Sequence, residues 1–460
     1  MLKPVTLKNG INIVRIPRTN CNSVVVGLVV NSGSIIEEGY FPQGISHLVE
    51  RMFWRGTYKH PSTKHLNLSL ESMGGSFYSF TTQETIQFYI TVPSYNQYKA
   101  ISFLAEIIQR SYFDARDVES EKKLLMESLK VSAQDMDQEI ADISLGNLYS
   151  NSSLGLPTRG FIDSVNQITH AQVLEYLAHQ FVPEKTYITM AGNFDSKKSL
   201  ELLEQEWSIW NPKVKKFLEP MPFNRDELND LPKITYRQRG VAQTYLSVNF
   251  LLDEGVKPLL QYEEMVEGST QVPNVIDPTQ EIIQARLQQM AVLLVLNVIL
   301  GQGFSCRLWS KGIEEELLFN KVESNLNYFS NSSFLSIVGD TENLQFSFGL
   351  ECIMSILDSL KRTTVSINEL AKAKEYLKGR MVLEHENLLS HVLWQMDNYV
   401  NSGLVYEISD ILEKIDKVEA NQVRSMALDL FVPQRLSITT LGTAKETRLV
   451  DKLIKKYLGV

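Results

Sequence analysis

The sequence predicts an α+β protein built from two tandem units of one architecture. Each half of the chain opens with strand patterns, continues with helices and closes with a strand that ends at a glycine, Gly192 and then Gly442. An order of elements that occurs twice is typical of a tandem duplication. The proline-rich, charged stretch at residues 211–232 predicts an interdomain linker. We therefore predict one domain at residues 1–210 and a second at residues 233–460.

In the first half, two strands come before the first helix. Residues 10–16 alternate between apolar and polar, whereas residues 23–30 are β-branched and nearly continuous, as in a strand covered on both faces. In residues 44–53, apolar side chains recur at positions i, i+3, i+4 and i+7, which predicts a helix with one buried stripe. Further patterns predict helices at 66–73, 97–111, from about 114 onward and at 169–180, and strands at 86–92 and 187–191.

The second half repeats this order. The predicted strands are residues 244–250, 334–338, 344–348 and 435–441, and the predicted helices are residues 290–300, 367–386 and 420–431. One acidic region, residues 253–283, is interrupted by glycine and proline and fits no regular element. It is longer than most connections in compact domains, so we expect it to be either functional or mobile.

Composition and charge narrow the function classes. The chain of 460 residues has 45 basic and 54 acidic residues, a net charge of -9, which argues against a general nucleic-acid binder. Its three cysteines, Cys21, Cys306 and Cys352, are far apart, so we expect free thiols in a reducing compartment. The first residues lack the apolar core of a signal peptide, and no apolar run reaches ~18 residues. We therefore expect a cytoplasmic protein without a membrane span.

One segment carries the chemistry. His47 and Glu50 lie three residues apart in the predicted helix at 44–53, so they share a face. Inverted zincins use H-x-x-E-H, in which both histidines hold zinc and the glutamate is the general base. The fifth position here is Arg51. By itself such a pair is more often a structural contact than a metal site.

The surrounding sequence favours a metal-site motif over a structural contact. Together with the near-match at 44–53, several other segments resemble the signature of the insulinase / mitochondrial-processing-peptidase family, and they span nearly the whole chain. They are residues 31–37, 55–57, 73–77, 80–85, 154–160, 168–169, 191–193, 301–308, 371–374 and 377–379. The resemblance implies a two-domain subunit of the bacterial type. Each domain would be an antiparallel-rich sheet packed with helices, and the two together would form half of a clamshell peptidase.

The family's third zinc ligand is a glutamate about 76 residues after the second histidine, which by count is Glu127. The family usually has another glutamate seven residues earlier, but that position is Ser120, between Glu119 and Glu121. A slip of one residue would put Ser128 at the ligand position instead. The resemblance also gives Glu84 the role of orienting a metal-binding histidine.

Arg51 should disable this site. Catalytic zinc needs three protein ligands and an open position for water. A guanidinium has no lone pair to offer and does not lose its proton in a protein. We expect it to replace the metal and to pair with Glu50 or Glu127, with little or no zinc bound. In the alternative, zinc binds to His47, Glu127 and another ligand; His60 and His65 are the other histidines in this region.

Other departures from the family point the same way. The family has Asn-Ala after Gly-Gly, where this chain has Tyr78-Ser79. Active members also carry an Arg-Gly-Leu-Ala-Tyr stretch that contacts substrate. The aligned residues are 316–320, so that Glu316 and Asn320 replace the arginine and the tyrosine.

Two functions follow from the resemblance. The first is a non-catalytic subunit that completes a peptide-binding chamber with a homologous catalytic partner, and that binds unfolded peptide by adding a strand to a sheet edge. The alternative is an active zinc endopeptidase with an altered third ligand, in which Glu50 is the base. A weaker possibility is a purely structural scaffold.

Overall fold

The computed structural model describes residues 4–150, 152–210, 212, 218–220, 231–252, 280–403, 406–443 and 447–459. Most of the predicted linker at 211–232 and most of the irregular region at 253–283 lie outside these residues. The described residues form two units. The first comprises the chain up to residue 135, residues 152–223 and residues 385–400, and the second comprises residues 136–151, residues 224–384 and the chain from residue 401 onward.

The described residues up to 210 contain six strands and eight helices. The strands are β1 (Val5–Thr6), β2 (Asn12–Pro17), β3 (Ser23–Val30), β4 (Ser76–Thr81), β5 (Ile86–Pro93) and β6 (Thr186–Gly192). The helices are α1 (Ile45–Met52), α2 (Thr63–Ser72), α3 (Gln97–Arg110), α4 (Ala115–Ser132), α5 (Met136–Leu148), α6 (Ile162–Gln167), α7 (His170–Gln180) and α8 (Ser196–Trp207).

The described residues from 231 onward contain five strands and eight helices. The strands are β7 (Lys233–Gln238), β8 (Gln243–Leu251), β9 (Lys321–Tyr328), β10 (Ser333–Glu342) and β11 (Leu436–Gly442). The helices are α9 (Gln280–Gly301), α10 (Arg307–Trp309), α11 (Phe346–Arg362), α12 (Ile367–Glu386), α13 (Leu388–Ser402), α14 (Ile408–Asp416), α15 (Ala420–Leu430) and α16 (Thr447–Ile454).

The two sheets share one topology. The first runs β1-β2-β6-β3-β5-β4 and the second β7-β11-β8-β10-β9. In each, one pair is parallel, β2 with β6 and β7 with β11, and the pairs that follow are antiparallel. Without β1, the two orders match strand for strand. This confirms the predicted α+β fold of two homologous, antiparallel-rich domains.

One helix of each half belongs to the unit of the other half. Helix α5 packs on β7, β8 and β11 of the second sheet, where Asn147 donates to Ser437 Oγ at 2.8 Å and to Thr439 Oγ1 at 3.0 Å. Helix α13 packs on the first sheet, where Tyr399 meets Tyr187 ring to ring at 5.7 Å. The exchange is reciprocal, so neither unit is a continuous stretch of sequence.

The predicted strand at residues 344–348 is wrong. Leu344, Phe346 and Phe348 alternate with polar residues, but α11 starts at Phe346. Phe346, Leu350 and Ile353 are buried at helical spacing, whereas Phe348 is exposed. The period of the longer segment therefore overrides the short alternation.

The long apolar helix α9 was predicted only in part, at residues 290–300. Residues 283–301 are apolar and long enough to cross a membrane, but 61% of that window is buried inside the structure. A core helix of a large domain has the same composition, so this is weak evidence for a span.

Candidate functional site

Helix α1 is held at its N-terminus by a buried carboxylate. Glu37 accepts from the backbone N–H of Gly44 (2.8 Å) and of Ser46 (2.9 Å). Gly44 is in the left-handed region at φ 92°, and a Cβ there would lie 2.7 Å from the carbonyl oxygen of Arg159. Burial raises the pKa of Glu37 to about 7, although these hydrogen bonds act in the opposite direction. The contacts fix where α1 begins and so place the motif that follows.

His47 and Glu50 belong to one hydrogen-bonded group. His47 Nδ1 lies 2.9 Å from Glu50 Oε2. From β4, the Ser79 hydroxyl donates to Glu50 Oε1 at 2.5 Å and Thr81 to Oε2 at 3.2 Å. Burial raises the pKa of Glu50, but the hydrogen bonds from His47, Ser79 and Thr81 outweigh it, so the pKa is lowered. A carboxylate stabilised in this way is a weaker base.

Arg51 binds a carboxylate of α4. Its Nε and Nη2 lie 2.6 and 2.5 Å from Oε1 of Glu121, whose side chain is only 5% exposed. Arg55 Nη1 lies 3.3 Å from the other oxygen of Glu121, and Arg55 Nη2 lies 3.4 Å from Asp117. Arg51 was expected to pair with Glu50 or Glu127, but its partner is Glu121. The guanidinium–carboxylate pair therefore joins α1 to α4.

The position of Glu121 bears on the choice between Glu127 and Ser128 as the third ligand position. Glu127 lies six residues further along α4, which at 3.6 residues per turn rotates it by about 240°. Its side chain is 69% exposed and pairs with Lys130 at 2.6 Å. Ser128 lies seven residues after Glu121, almost two full turns, and so shares its face. The structure therefore favours the register in which Glu121 is the earlier glutamate and Ser128 stands at the ligand position.

The two alternative histidine ligands are held elsewhere. His60 Nδ1 lies 2.9 Å from Glu106 on α3, and His65 Nδ1 lies 2.8 Å from the hydroxyl of Ser62. Glu84 lies in the turn between β4 and β5, where its backbone N–H donates to Thr82 Oγ1 at 3.2 Å. Neither of the two histidine contacts joins the group around Glu50.

The donor set does not fit catalytic zinc. His47 has a ring nitrogen that could serve as one ligand, but Arg51 and Ser128 stand where the family resemblance implies a histidine and a glutamate. Within the described ranges, no three His, Cys, Asp or Glu side chains come together as a metal site. We therefore derive no step through a metal here.

The other family positions also differ in the structure. Tyr78 is 48% exposed on β4 and packs against Phe80, with ring centroids 5.3 Å apart. Glu316 lies 3.8 Å from Lys311, and Asn320 donates to Asp340 at 2.7 Å. The substitution at Ser79 supplies a hydroxyl to Glu50 that an alanine could not.

Comparison with known proteins identifies the family of this chain. Residues 13–160 match the insulinase domain of peptidase family M16, and residues 167–377 match the domain described as the M16 inactive domain. The chain belongs to the M16 family. It therefore combines an insulinase domain with an inactive-type second domain.

Three similar proteins illustrate the match. The uncharacterized zinc protease YmxG of Bacillus subtilis is 26% identical over 94% of this chain and 96% of its own length. The mitochondrial-processing peptidase subunit beta of Dictyostelium discoideum is 27% identical over 45% of this chain and 44% of its own. A protease structure from Helicobacter pylori superposes with a TM-score of 0.81 at 16% identity, over 96% of this chain and 99% of that one.

Sequence reasoning found His47, Glu50 and Arg51 but missed Glu121, Arg55 and Ser79 as their partners. The signal for Glu121 was present, since it adjoins the position seven residues before the counted ligand. Counting from the motif alone cannot resolve a slip of one residue in the intervening loops. The rotation of α4 resolves this slip, because it shows which face of the helix meets α1.

Proposed function

We propose that this M16 chain is a non-catalytic subunit that completes a peptide-binding chamber with a homologous catalytic partner. The observation that carries the proposal is the pair between Arg51 and Glu121 at 2.5 Å, because it puts a permanent cation where a second zinc ligand would stand. The Ser128 position removes the glutamate ligand as well. Glu50, with its lowered pKa, is left without a metal-bound water to deprotonate.

Peptide would bind at strand β4. This strand ends the first sheet and pairs only with β5 among the described strands, so its outer backbone groups can receive an added strand. The partner would carry an intact H-x-x-E-H motif. We place both subunits in the cytoplasm.

Zinc content and reconstitution test the proposal. The purified chain should contain well under one zinc per molecule by metal analysis and should not cleave an unfolded peptide. Co-expression with an intact homologous subunit should give a complex with peptidase activity, and that activity should be lost when the partner's own motif is mutated. One tightly bound zinc per chain, or cleavage by the chain alone, would disprove the proposal.

A further inference from the structure

Residues 57–60 of the first unit form a turn that is fixed from inside the fold. The backbone N–H of Thr57 donates to the carbonyl of His60 at 2.8 Å, and the N–H of His60 returns to Thr57 Oγ1 at 2.9 Å. The same hydroxyl donates to Oε1 of Glu106 on α3 at 2.5 Å, and His60 Nδ1 lies 2.9 Å from that oxygen. Because Glu106 is only 9% exposed, a buried carboxylate of a neighbouring helix holds the conformation of the turn.

The two residues at the tip of this turn extend into solvent. Tyr58 is 83% exposed, and the side chain of Lys59 is 76% exposed. A side chain carried on backbone that is already ordered costs less entropy when it binds a partner. Tyrosine is also enriched among the residues that dominate the energy of interfaces. Tyr58 is therefore suited to anchor a ligand from outside this chain.

The turn is joined to the end of α3 by direct contacts. The N–H of Tyr58 donates to the carbonyl of Arg110 at 3.4 Å. The ring of Tyr58 packs edge to face with that of Tyr112, with centroids 5.9 Å apart, and the hydroxyl of Tyr112 donates to the carbonyl of Pro61. The residues that these contacts bring together are what we call the Tyr58 surface, which consists of Tyr58, Lys59, Arg110 and Tyr112.

The Tyr58 surface is positive, although the net charge of the chain is -9. Residues 51–70 contain four lysine or arginine residues and no Asp or Glu, and Arg110 is exposed at the end of α3. Glu106 lies 3.8 Å from Lys59 Nζ, but it is buried and already bonded within the turn. Asp114, which follows on the exposed side, caps α4 by accepting from a backbone N–H. The surface therefore attracts an acidic ligand.

We propose that the Tyr58 surface binds an acidic segment of another protein, in which carboxylates flank an aromatic side chain. The carboxylates pair with Lys59 and Arg110, and the aromatic ring packs on Tyr58. A nucleic acid is disfavoured, because an acidic chain repels a polyanion and two cations neutralise few phosphates. Four side chains cover far less than the ~800 Å² per partner of a stable subunit interface, so the occupant is a segment and not a folded domain.

The test is the affinity of the full chain for labelled probes, measured by fluorescence anisotropy at low salt. Three unstructured peptides share one glycine-serine background and carry Glu-Phe-Glu-Glu, Lys-Phe-Lys-Lys or Glu-Ser-Glu-Glu at the centre. The fourth probe is a single-stranded oligothymidine. The first peptide should bind at least about tenfold more tightly than each of the other three probes.

Two variants remove the two kinds of contact separately. Tyr58→Ser should weaken binding of the first peptide about tenfold, because it removes the aromatic anchor. Lys59→Gln with Arg110→Gln should weaken it a few-fold at low salt and much less at high salt, since salt screens exposed charges.

Matched controls separate binding from folding. Tyr95→Ser removes another tyrosine of the first unit, which is 81% exposed, and Lys197→Gln with Lys198→Gln removes two exposed cations of α8. Neither control should change the affinity. Because the side chain of Tyr58 is exposed, the urea midpoint of Tyr58→Ser should match that of wild type.

Equal affinity of wild type and Tyr58→Ser for the first peptide would overturn the inference, as would equal binding of the acidic and basic peptides. Oligothymidine bound as tightly as the first peptide would assign the surface to nucleic acid instead. None of the four residues belongs to the group around Glu50 or to strand β4, and zinc content does not enter the measurement. The result therefore stands apart from the test of the proposed function.

Discussion

The two units share a scaffold and also the way in which corresponding helices are joined. In the first, Arg51 of α1 binds Glu121 of α4. In the second, Arg307 of α10 binds Glu369 of α12 through two bonds of 2.8 and 2.9 Å. Helices α4 and α12 occupy the same place in the order of elements, each being the second helix after the antiparallel strand pair. The first unit, which carries the peptidase motif, therefore uses an arginine–glutamate joint like that of the inactive-type unit.

Under the proposed non-catalytic role, the two units indicate where a zinc site is lost on a shared scaffold. The sheets keep their order, and the changes fall on the segment before the edge strand and on the helix that faces it. An ion pair can make the mechanical link of a metal bond between two helices without supplying its Lewis acidity.

The largest expected effect comes from reversing the joint in the first unit. Arg51→His with Ser128→Glu restores two ligands beside His47, and zinc affinity should rise by at least about a thousandfold, as for a site that goes from one good ligand to three. Isothermal titration with zinc at pH 7.5 measures this. Arg51→His with Glu127→Asp is the matched control and should bind weakly. Equal affinities of the two double variants would contradict the Ser128 register.

Breaking each of the two joints should lower the free energy of unfolding by a different amount. Glu121→Gln replaces a carboxylate that is 5% exposed, leaves Arg51 without a charged partner and leaves Arg55 with Asp117 alone, and should cost about 3 kcal/mol. Glu369→Gln affects a pair whose side chains are 22% and 23% exposed, and should cost about 1 kcal/mol because water screens it. Urea unfolding measures both. A larger loss for Glu369→Gln would show that the second joint is the more important one.

The pKa of Glu37 predicts a pH dependence confined to the first unit. The carboxyl titrates near 4.5 when unfolded and at about 7 when folded. Between these values the folded state holds a proton that the unfolded chain has released, so this contribution to the free energy of unfolding falls as the pH rises. Relative to wild type, Glu37→Gln should therefore gain stability from pH 4.5 to 7, by about 3 kcal/mol at most. Parallel stability profiles of the two proteins would contradict the assignment.

The smallest effect is expected in the second unit. Leu317 has φ 52°, in the left-handed region, and is 73% exposed. Leu317→Gly removes this strain but adds freedom to the unfolded chain, and the net gain should be about 0.5–1 kcal/mol. Thermal unfolding should show a higher midpoint. A lower midpoint would mean that the leucine packs more closely than its exposure indicates.

Much of this fold could be predicted from the sequence, and the reasons differ by element. Helix α12 has the predicted bounds, residues 367–386, because its helical pattern of apolar and polar residues continues over 20 residues. Strand β4 was missed because Ser76–Thr81 is an edge strand with mixed burial and no clear alternation. The exchange of α5 and α13 leaves no sequence signal, since a helix shows one apolar face whichever sheet it covers.

The candidate site was predicted in its motif and not in its partners. His47, Glu50 and Arg51 lie within five residues, so local spacing identifies them. The contacts from Ser79, Glu121 and Arg55 come from elements that are distant in sequence. A single sequence does not reveal which distant elements meet.

The exchange of helices has a consequence for synthesis of the chain. The first sheet is complete once Gly192 has been made, but the α13 segment that covers it extends to residue 400. At about 5–20 residues per second, the ribosome needs roughly 10–40 s to add the intervening residues. Throughout that time, the part of the first sheet on which α13 packs lacks its helix, because α13 has not yet been translated. We expect a nascent chain of this kind to need a chaperone at the ribosome. If the gene were split at residues 211–232, each polypeptide would contain a helix that packs on the sheet of the other.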